Sequence, residues 1–171
     1  MNNLIFLDID GVLNTIIVDT EPIEGGRPSP DEDGFYYCIN SPNHKRVSNR
    51  QAVMWLNLLC KTTGAKIVIS STWRTSLTLE ELKETLTNSG LLPEIEIIGC
   101  TPSLSYIPDR TRGMEITTYL NNNYGDQWPN FVILDDDSDM DNLKDKLIKC
   151  DTYTGLGFHE FRAAFSKLKD L

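Results

Sequence analysis

The chain has 171 residues, of which 40% are hydrophobic and 24% are charged, and its formal net charge is −9. This length suits one compact domain that spans residues 1–171 and leaves no room for a second full domain. The acidic balance argues against a protein that binds nucleic acid through a broad basic face. No apolar run approaches the roughly 18 residues that predict a membrane span, and no secretory leader is recognisable.

Cysteine usage indicates the compartment. The four cysteines are scattered without a C-x-x-C pair, and the chain has only two histidines, so a structural zinc site is not expected. Reduced thiols in a cytoplasmic protein are the expectation.

The first apolar run, residues 4–7, predicts a strand buried on both faces. It is followed by Asp8, Asp10 and Gly11, and strand alternation puts the two carboxylates on the same side. Carboxylates this close repel each other unless a cation or a shared proton lies between them. The pattern indicates a Mg²⁺-type site, with a solvated acidic strand end as the alternative.

Residues 15–49 are rich in proline and glycine, which excludes a long helix. Within them, residues 35–39 are aromatic and β-branched enough for a short strand, and residues 16–18 are its predicted hairpin partner. We interpret this segment as a small inserted cap, or flap, above the site. A surface loop with incidental aromatic residues is the alternative.

A crossover helix is predicted next. Ser48 begins it, its apolar residues recur at helical spacing, and Gly64 ends it as a C-cap. Residues 66–69 predict a second strand that resembles residues 4–7, because it is followed directly by polar side chains, here the hydroxyls of Ser70 and Ser71.

The middle of the chain continues the alternation of helices and strands. A capping box that starts at Thr78 predicts a helix that ends near Gly90, and residues 94–99 form the third strand. The loop that follows carries Arg110 and Arg112 and leads into another helix.

The last third of the chain has a second acidic strand end. Residues 131–134 are apolar and are followed by Asp135 and Asp136; a short strand over 146–150 and a closing helix over about 158–168 complete the chain. Five strands with helices between them predict an α/β fold with a doubly wound, Rossmann-like, five-stranded parallel sheet.

Three strand ends should meet at one edge of this sheet, and they carry carboxylates or hydroxyls: Asp8 and Asp10, Ser70 and Ser71, Asp135 and Asp136. Carboxylates offer Mg²⁺ the oxygen ligands it prefers, and serine hydroxyls suit phosphate oxygens. An EF-hand is excluded because Met140 and Lys146 occupy the positions, counted from Asp135, where that loop needs glycine and glutamate. No P-loop motif occurs.

The order of these motifs resembles the haloacid dehalogenase (HAD) superfamily. The opening Asp8-Ile9-Asp10-Gly11-Val12-Leu13, a strand that ends in Ser70, a basic residue before a helix, and Ile133-Leu134-Asp135-Asp136 are similar to its four motifs. The resemblance covers the chain apart from residues 15–49. The segments Ser70-Ser71-Thr72-Trp73-Arg74 and Arg112-Gly113-Met114-Glu115-Ile116 resemble the small HAD domains of RNA-repair proteins.

The resemblance implies a Mg²⁺-dependent phosphatase in which Asp8 attacks phosphorus and forms an aspartyl-phosphate. Asp10 would protonate the leaving oxygen and then activate water, and an acid at this position disfavours dehalogenation. The implied metal ligands are the Asp8 carboxylate, the Asp10 backbone carbonyl and Asp136, with Asp135 or Asp141 in support. Ser70, Ser71 and Arg112 would hold the phosphoryl oxygens, with Arg110 as the alternative basic residue.

The substrate stays open between a phosphorylated small molecule, a nucleotide and a 3′ or 5′ phosphate at a nucleic-acid end. A basic and aromatic strip for single strands is a further hypothesis, and its members are Tyr36, Tyr37, Lys45, Arg46, Arg50, Trp73 and Arg74. A non-catalytic phosphate-binding module is the alternative from another functional class. The sequence predicts no oligomeric state.

Overall fold

The computed structural model describes residues 3–16, 28–30, 36–38 and 48–169. Its strands are β1 (Leu4–Leu7), β2 (Pro28–Pro30), β3 (Tyr36–Cys38), β4 (Lys66–Ile69), β5 (Ile97–Cys100), β6 (Phe131–Asp135) and β7 (Leu147–Lys149). Its helices are α1 (Arg50–Thr63), α2 (Leu79–Asn88), α3 (Arg112–Tyr124) and α4 (Phe158–Leu168), and two 3₁₀ turns span Thr72–Thr75 and Asp141–Lys146.

Five of the strands form one sheet in the order β5-β4-β1-β6-β7, and every neighbouring pair is parallel. The predicted α/β fold with a five-stranded parallel sheet is therefore confirmed. The chain moves outward from β1 to β4 and β5, and then returns to β6 on the other side of β1. The sheet thus changes direction beside β1, and ligands of open α/β sheets bind at the carboxyl side of such a point.

The core lies on both faces of the sheet, as expected when helices cover a parallel sheet on two sides. Ile5 and Leu7 of β1 point to a cluster that includes apolar residues of α1, α2 and α4. Leu4 and Phe6 point to the opposite cluster, which α3 covers. All four side chains are fully buried, so β1 is the central strand that the opening apolar run predicts.

Several helix ends follow the predicted capping chemistry. Gly64 ends α1 in the left-handed conformation, with φ of 65°, and Thr78 forms the expected capping box with Glu81. The start of α1 differs, because Asn49 is its N-cap and accepts from the amides of Gln51 and Ala52. The prediction that Ser48 begins this helix was therefore wrong, because Ser48 lies one residue before the N-cap.

The third strand also begins later than predicted, at Ile97 instead of residue 94. A turn precedes it, in which the Ile95 amide donates to the Leu92 carbonyl at 3.0 Å. Alternating polar and apolar residues at 94–96 resemble a strand, but the backbone of Ile95 is used by this turn. The Glu96 carbonyl accepts from the Ile67 amide of β4 at 2.8 Å, immediately before the strand begins.

The segment 15–49 contains a strand near the predicted position, since β3 pairs antiparallel with β2. Sequence reasoning missed β2 because prolines lack the N–H that a strand interior needs. The predicted partner, residues 16–18, lies outside the described residues apart from Ile16. Within the described ranges, none of the helices has the length and apolar composition needed to cross a membrane.

Candidate active site

The register of the sheet brings three strand ends together. Leu7 lies opposite both Ile69 and Leu134 in the parallel ladders. The amide of Asp8 donates to the Leu134 carbonyl at 3.0 Å, and the amide of Ser70 donates to the Leu7 carbonyl at 2.8 Å. Asp8, Ser70 and Asp135 therefore lie side by side at the carboxyl edge, as the sequence predicts.

Gly11 allows the loop after β1 to approach Asp136. Its φ is +78°, which favours glycine, and a Cβ added there would lie 2.2 Å from Cγ and Oδ2 of Asp136. The hydroxyl of Thr152 also donates to Asp136 Oδ2, at 2.7 Å. The backbone at Gly11 and the hydroxyl of Thr152 thus hold the Asp136 carboxylate in place.

Three carboxylates form a cluster at this edge. Asp8, Asp135 and Asp136 each offer one oxygen within 4.8 Å of the other two. Burial raises the pKa of Asp135 to about 7, with a further contribution from the charge of Asp8. Burial also raises the pKa of Asp8, against the opposing effects of Arg112 and of hydrogen bonds from Ser71 and the Ile9 amide. Such a cluster costs free energy unless positive charge compensates it.

Arg112 supplies part of that charge. Its Nε lies 3.2 Å from Asp135 Oδ2, its Nη2 lies 3.5 Å from Asp8 Oδ2, and its Nη1 donates to the Ser70 carbonyl. Burial alone would lower the pKa of Arg112, but the neighbouring carboxylates outweigh that effect and the pKa is raised. Arg110 is exposed. Of the two candidate basic residues, Arg112 is the one in contact with the cluster.

The two serines of the second motif are buried beside the cluster. The Ser70 hydroxyl has no hydrogen-bond partner within the described part of the chain, and Oδ2 of Asp135 likewise accepts no hydrogen bond there. Ser71 hydrogen-bonds to Asp8 and caps the 3₁₀ turn that follows it. An unpartnered buried hydroxyl costs free energy in the absence of a ligand, so Ser70 has the character of a ligand-binding group.

Arg74 is a buried scaffold residue. It forms an ion pair with Glu115, and their side chains are only 5% and 8% exposed. The guanidinium also donates to the carbonyls of Ser70, Ser71 and Thr101, at 3.1, 2.6 and 2.9 Å. Arg74 therefore holds the second motif and the loop after β5 in place.

Two residues of the basic and aromatic strip that was hypothesised to bind single strands are not placed for that role. The Arg74 side chain is buried and paired with Glu115, and the half-buried ring of Trp73 packs against the core. Neither side chain is therefore on the surface where a nucleic acid could bind it. Arg50 is exposed at the start of α1. The side chains of Tyr36, Tyr37, Lys45 and Arg46 lie outside the described residues.

Asp10 is not one of the three clustered carboxylates. Its Oδ1 accepts from Asn14 Nδ2 at 2.9 Å, and its Oδ2 accepts from Trp73 Nε1 at 2.8 Å. Asp141 also lies apart from the cluster, because its exposed carboxylate accepts from the hydroxyl of Thr111, the N-cap of α3. The side-chain cluster therefore contains neither Asp10 nor Asp141.

Sequence reasoning missed Asn14, Glu115 and Thr152. Asn14 stands four residues after Asp10 in a glycine-containing turn, a spacing that brings an amide back to a carboxylate. Glu115 occupies the first turn of α3, where an acidic residue is expected to interact favourably with the helix dipole. The sequence pattern therefore did not indicate that this side chain is buried and forms an ion pair. No local sequence pattern indicates the contact between Thr152 and Asp136, because the fold brings these two residues together.

Comparison with known proteins gives a family match. A family model described as the HAD domain in Swiss Army Knife RNA repair proteins matches residues 4–160. No curated protein and no solved structure gives a significant match.

Proposed function

The chain belongs to the family of HAD domains in Swiss Army Knife RNA repair proteins, and we propose that it is a Mg²⁺-dependent phosphohydrolase. It hydrolyses phosphate monoesters through an aspartyl-phosphate on Asp8. The observation that carries the proposal is the position of Asp8. This buried carboxylate lies at the end of the central strand, beside both the carboxylate cluster and Arg112.

The donor set fits Mg²⁺. Three carboxylate oxygens from two neighbouring strands converge, one of them from a buried Asp135 atom that accepts no hydrogen bond from the described residues. Asp8 and Asp136 would hold the ion, with the Asp10 backbone carbonyl and Asp135 in support. A bound divalent cation supplies positive charge that offsets the carboxylates and the phosphate dianion.

In the first step, Asp8 attacks phosphorus, the bond between phosphorus and the ester oxygen breaks, and Asp10 gives its proton to that oxygen. In the second step, Asp10 takes a proton from water, the water oxygen bonds to phosphorus, and the bond to Asp8 breaks. Free phosphate leaves, and Asp8 and Asp10 return to their starting states. The covalent intermediate divides one difficult displacement into two easier ones.

Ser70, Ser71 and Arg112 bind the phosphoryl oxygens in this proposal. The unpartnered Ser70 hydroxyl is available as a donor, and the fork of Arg112 already faces Asp8. Donors fixed before the reaction stabilise the negative charge of the transition state without reorganisation.

Residues 15–49 act as a small cap on a single HAD-like domain. The two ends of this segment meet beside the site, since Asn14 and Ser48 form an antiparallel bridge and the Asn49 amide donates to the Leu13 carbonyl at 2.7 Å. Because Asn14 also binds Asp10, the insert leaves the domain next to the proposed acid. A cap of this size leaves room for a nucleotide or the end of a polymer.

A second candidate is the removal of a 3′ or 5′ phosphate from a nucleic-acid end. The RNA-repair description of the family favours it. The net charge of −9 disfavours a broad nucleic-acid face but permits recognition of a terminal phosphate. A domain that binds phosphate without turnover is the remaining alternative.

The test is phosphate release from an aryl phosphate, nucleotides, and oligonucleotides with 3′ or 5′ phosphates, in Mg²⁺ or EDTA. Asp8→Asn should abolish turnover, because the amide is a poor nucleophile, and EDTA should abolish it in the wild type. Asp126→Asn, the same change at an exposed aspartate outside the cluster, should retain the wild-type rate. The preferred substrate separates metabolite from nucleic-acid activity. An inactive wild type that is still stabilised by Mg²⁺ and phosphate would favour the binding module.

A further inference from the structure

Trp73 and Asn14 approach the Asp10 carboxylate from different parts of the chain. The indole Nε1 of Trp73 donates to Oδ2 at 2.8 Å, and the Asn14 amide donates to Oδ1 at 2.9 Å. Trp73 is 63 residues away in sequence, on the segment that follows the second motif. Each oxygen of Asp10 thus accepts a hydrogen bond from a separate segment.

Both donors are themselves held in place. Asn14 is 1% exposed, and its own Oδ1 accepts from the Ser48 hydroxyl at 2.9 Å, so its NH₂ group faces Asp10. Trp73 belongs to the 3₁₀ turn that Ser71 caps, and its ring packs against the core. Arg74, the next residue, holds the backbone of that turn through the Ser71 carbonyl. Rigid donors restrict the Asp10 carboxylate to one orientation.

The chemistry of the indole makes this contact useful. An indole N–H can donate a hydrogen bond but cannot accept one. It therefore orients Asp10 without offering a competing site for the proton. A carboxylate oxygen has two lone pairs, and the indole N–H occupies only one of those on Oδ2, so this hydrogen bond does not itself block proton exchange with the leaving group or with water.

We propose that Trp73 is a positioning residue that aims Asp10 at the leaving oxygen of the substrate. This inference rests on the proposed function, in which Asp10 is the acid and base. It assigns the ring to the catalytic arrangement instead of to stacking against a nucleic-acid base.

The role has a kinetic signature that packing alone does not produce. Proton donation matters most when the leaving oxygen is strongly basic, as in an alkyl phosphate, and least when it is weakly basic, as in p-nitrophenyl phosphate. Loss of the Asp10 orientation should therefore steepen the dependence of kcat/KM on leaving-group basicity. Because kcat/KM reports on transfer to Asp8, a slow hydrolysis of the intermediate does not obscure the comparison.

The experiment measures kcat/KM of Trp73→Phe for an alkyl phosphate and for p-nitrophenyl phosphate, with Mg²⁺ present. This change removes the N–H and keeps an aromatic ring. We expect a loss of ~10-fold or more for the alkyl ester and a change within about threefold for the aryl ester. Asp10→Asn should show the same difference more strongly. Trp55→Phe is the matched control, because Trp55 packs against Phe158 and Phe161 and should leave the ratio unchanged.

Each outcome has a defined meaning. If Trp73→Phe lowers kcat/KM equally for both esters, or leaves both unchanged, the positioning role is overturned while the phosphatase assignment stands. A wild type that hydrolyses no ester overturns both. If Trp73→Phe fails to fold, replacement of Trp73 by benzothienylalanine removes the N–H while keeping the bicyclic shape, and the same ratio decides the question.

Discussion

Nε of Arg112 lies 3.2 Å from Oδ2 of Asp135, and the same guanidinium reaches Asp8 with Nη2 at 3.5 Å. Arg112 thus joins the proposed nucleophile to the first acid of the fourth motif. Arg112 is the first residue of α3, and this helix covers the face of the sheet opposite α1, α2 and α4. One cation therefore compensates charges that two parallel strands bring together.

The first prediction concerns this arginine. Arg112→Ala should lower kcat/KM by about 10²–10³-fold, because the proposed donor to the transferred phosphoryl group is lost. Arg112→Lys should recover only part of this loss, since an ammonium lacks the two-pronged geometry. Steady-state kinetics in saturating Mg²⁺ measure both variants. Arg110→Ala, at the exposed arginine two residues earlier, should behave like the wild type, and equal losses for Arg110→Ala and Arg112→Ala would contradict the assignment.

The second prediction concerns pH and the metal-free protein. Burial and the charge of Asp8 raise the pKa of Asp135 from 3.8 to about 7, so the folded state binds this proton more tightly than the unfolded state. The associated stability is fully present below about pH 4 and is lost as the pH rises through about 7. Asp135→Asn does not ionise. In EDTA, its free energy of unfolding relative to the wild type should therefore increase by a few kcal/mol between pH 4 and pH 8.

Denaturant titrations across this pH range give the comparison, and Mg²⁺ should restore wild-type stability at pH 8. The carbonyl oxygen of the asparagine can still accept from the Asp137 amide, which donates to Asp135 Oδ1 at 2.9 Å. Asp126→Asn serves as the exposed control. Parallel pH profiles for the wild type and Asp135→Asn would show that Asp135 is not strained in the metal-free protein.

The third prediction concerns Gly11. Gly11→Ala combines a left-handed backbone with a Cβ placed 2.2 Å from the Asp136 carboxylate. We expect it to displace Asp136 and to weaken Mg²⁺ binding, in addition to the conformational cost of roughly 1–2 kcal/mol. Gly64→Ala isolates that cost, because Gly64 is in the left-handed conformation, with φ of +65°, and has no atom within 4 Å of the added Cβ. Thermal melts with increasing Mg²⁺ measure both effects, and equal Mg²⁺ responses in the two variants would contradict the prediction.

The fourth prediction concerns the ion pair between Arg74 and Glu115. Glu115→Gln should lower the free energy of unfolding by roughly 3–5 kcal/mol, because it leaves a buried guanidinium without its countercharge. Glu96→Gln removes the partner of Lys66 in an exposed pair and should cost about 0–1 kcal/mol. Chemical denaturation measures the two variants. Similar losses at both positions would mean that Arg74 keeps its charge solvated in some other way.

Much of this arrangement follows from local patterns in the chain. A four-residue apolar run followed by an acid predicts a buried strand with a functional end, and both Leu4–Leu7 and Phe131–Asp135 have this structure. The capping box at Thr78 and the glycine after α1 mark helix ends through hydrogen bonds between near neighbours. Such features need no knowledge of distant residues, and sequence alone therefore predicted the sheet and the positions of Asp8 and Asp135 at the ends of two of its strands.

Other features depend on which distant segments come into contact. The choice of Arg112 over Arg110, the burial of Arg74 against Glu115, and the indole N–H of Trp73 on Asp10 are decided by the fold. In each case a polar group that is buried or partly buried contacts one particular partner, and burial of a polar group requires such a partner. The sequence determined which side chains stand at the strand ends. The tertiary structure decided their partners, because hydrogen bonds and ion pairs depend on distances of a few ångströms between residues far apart in the chain.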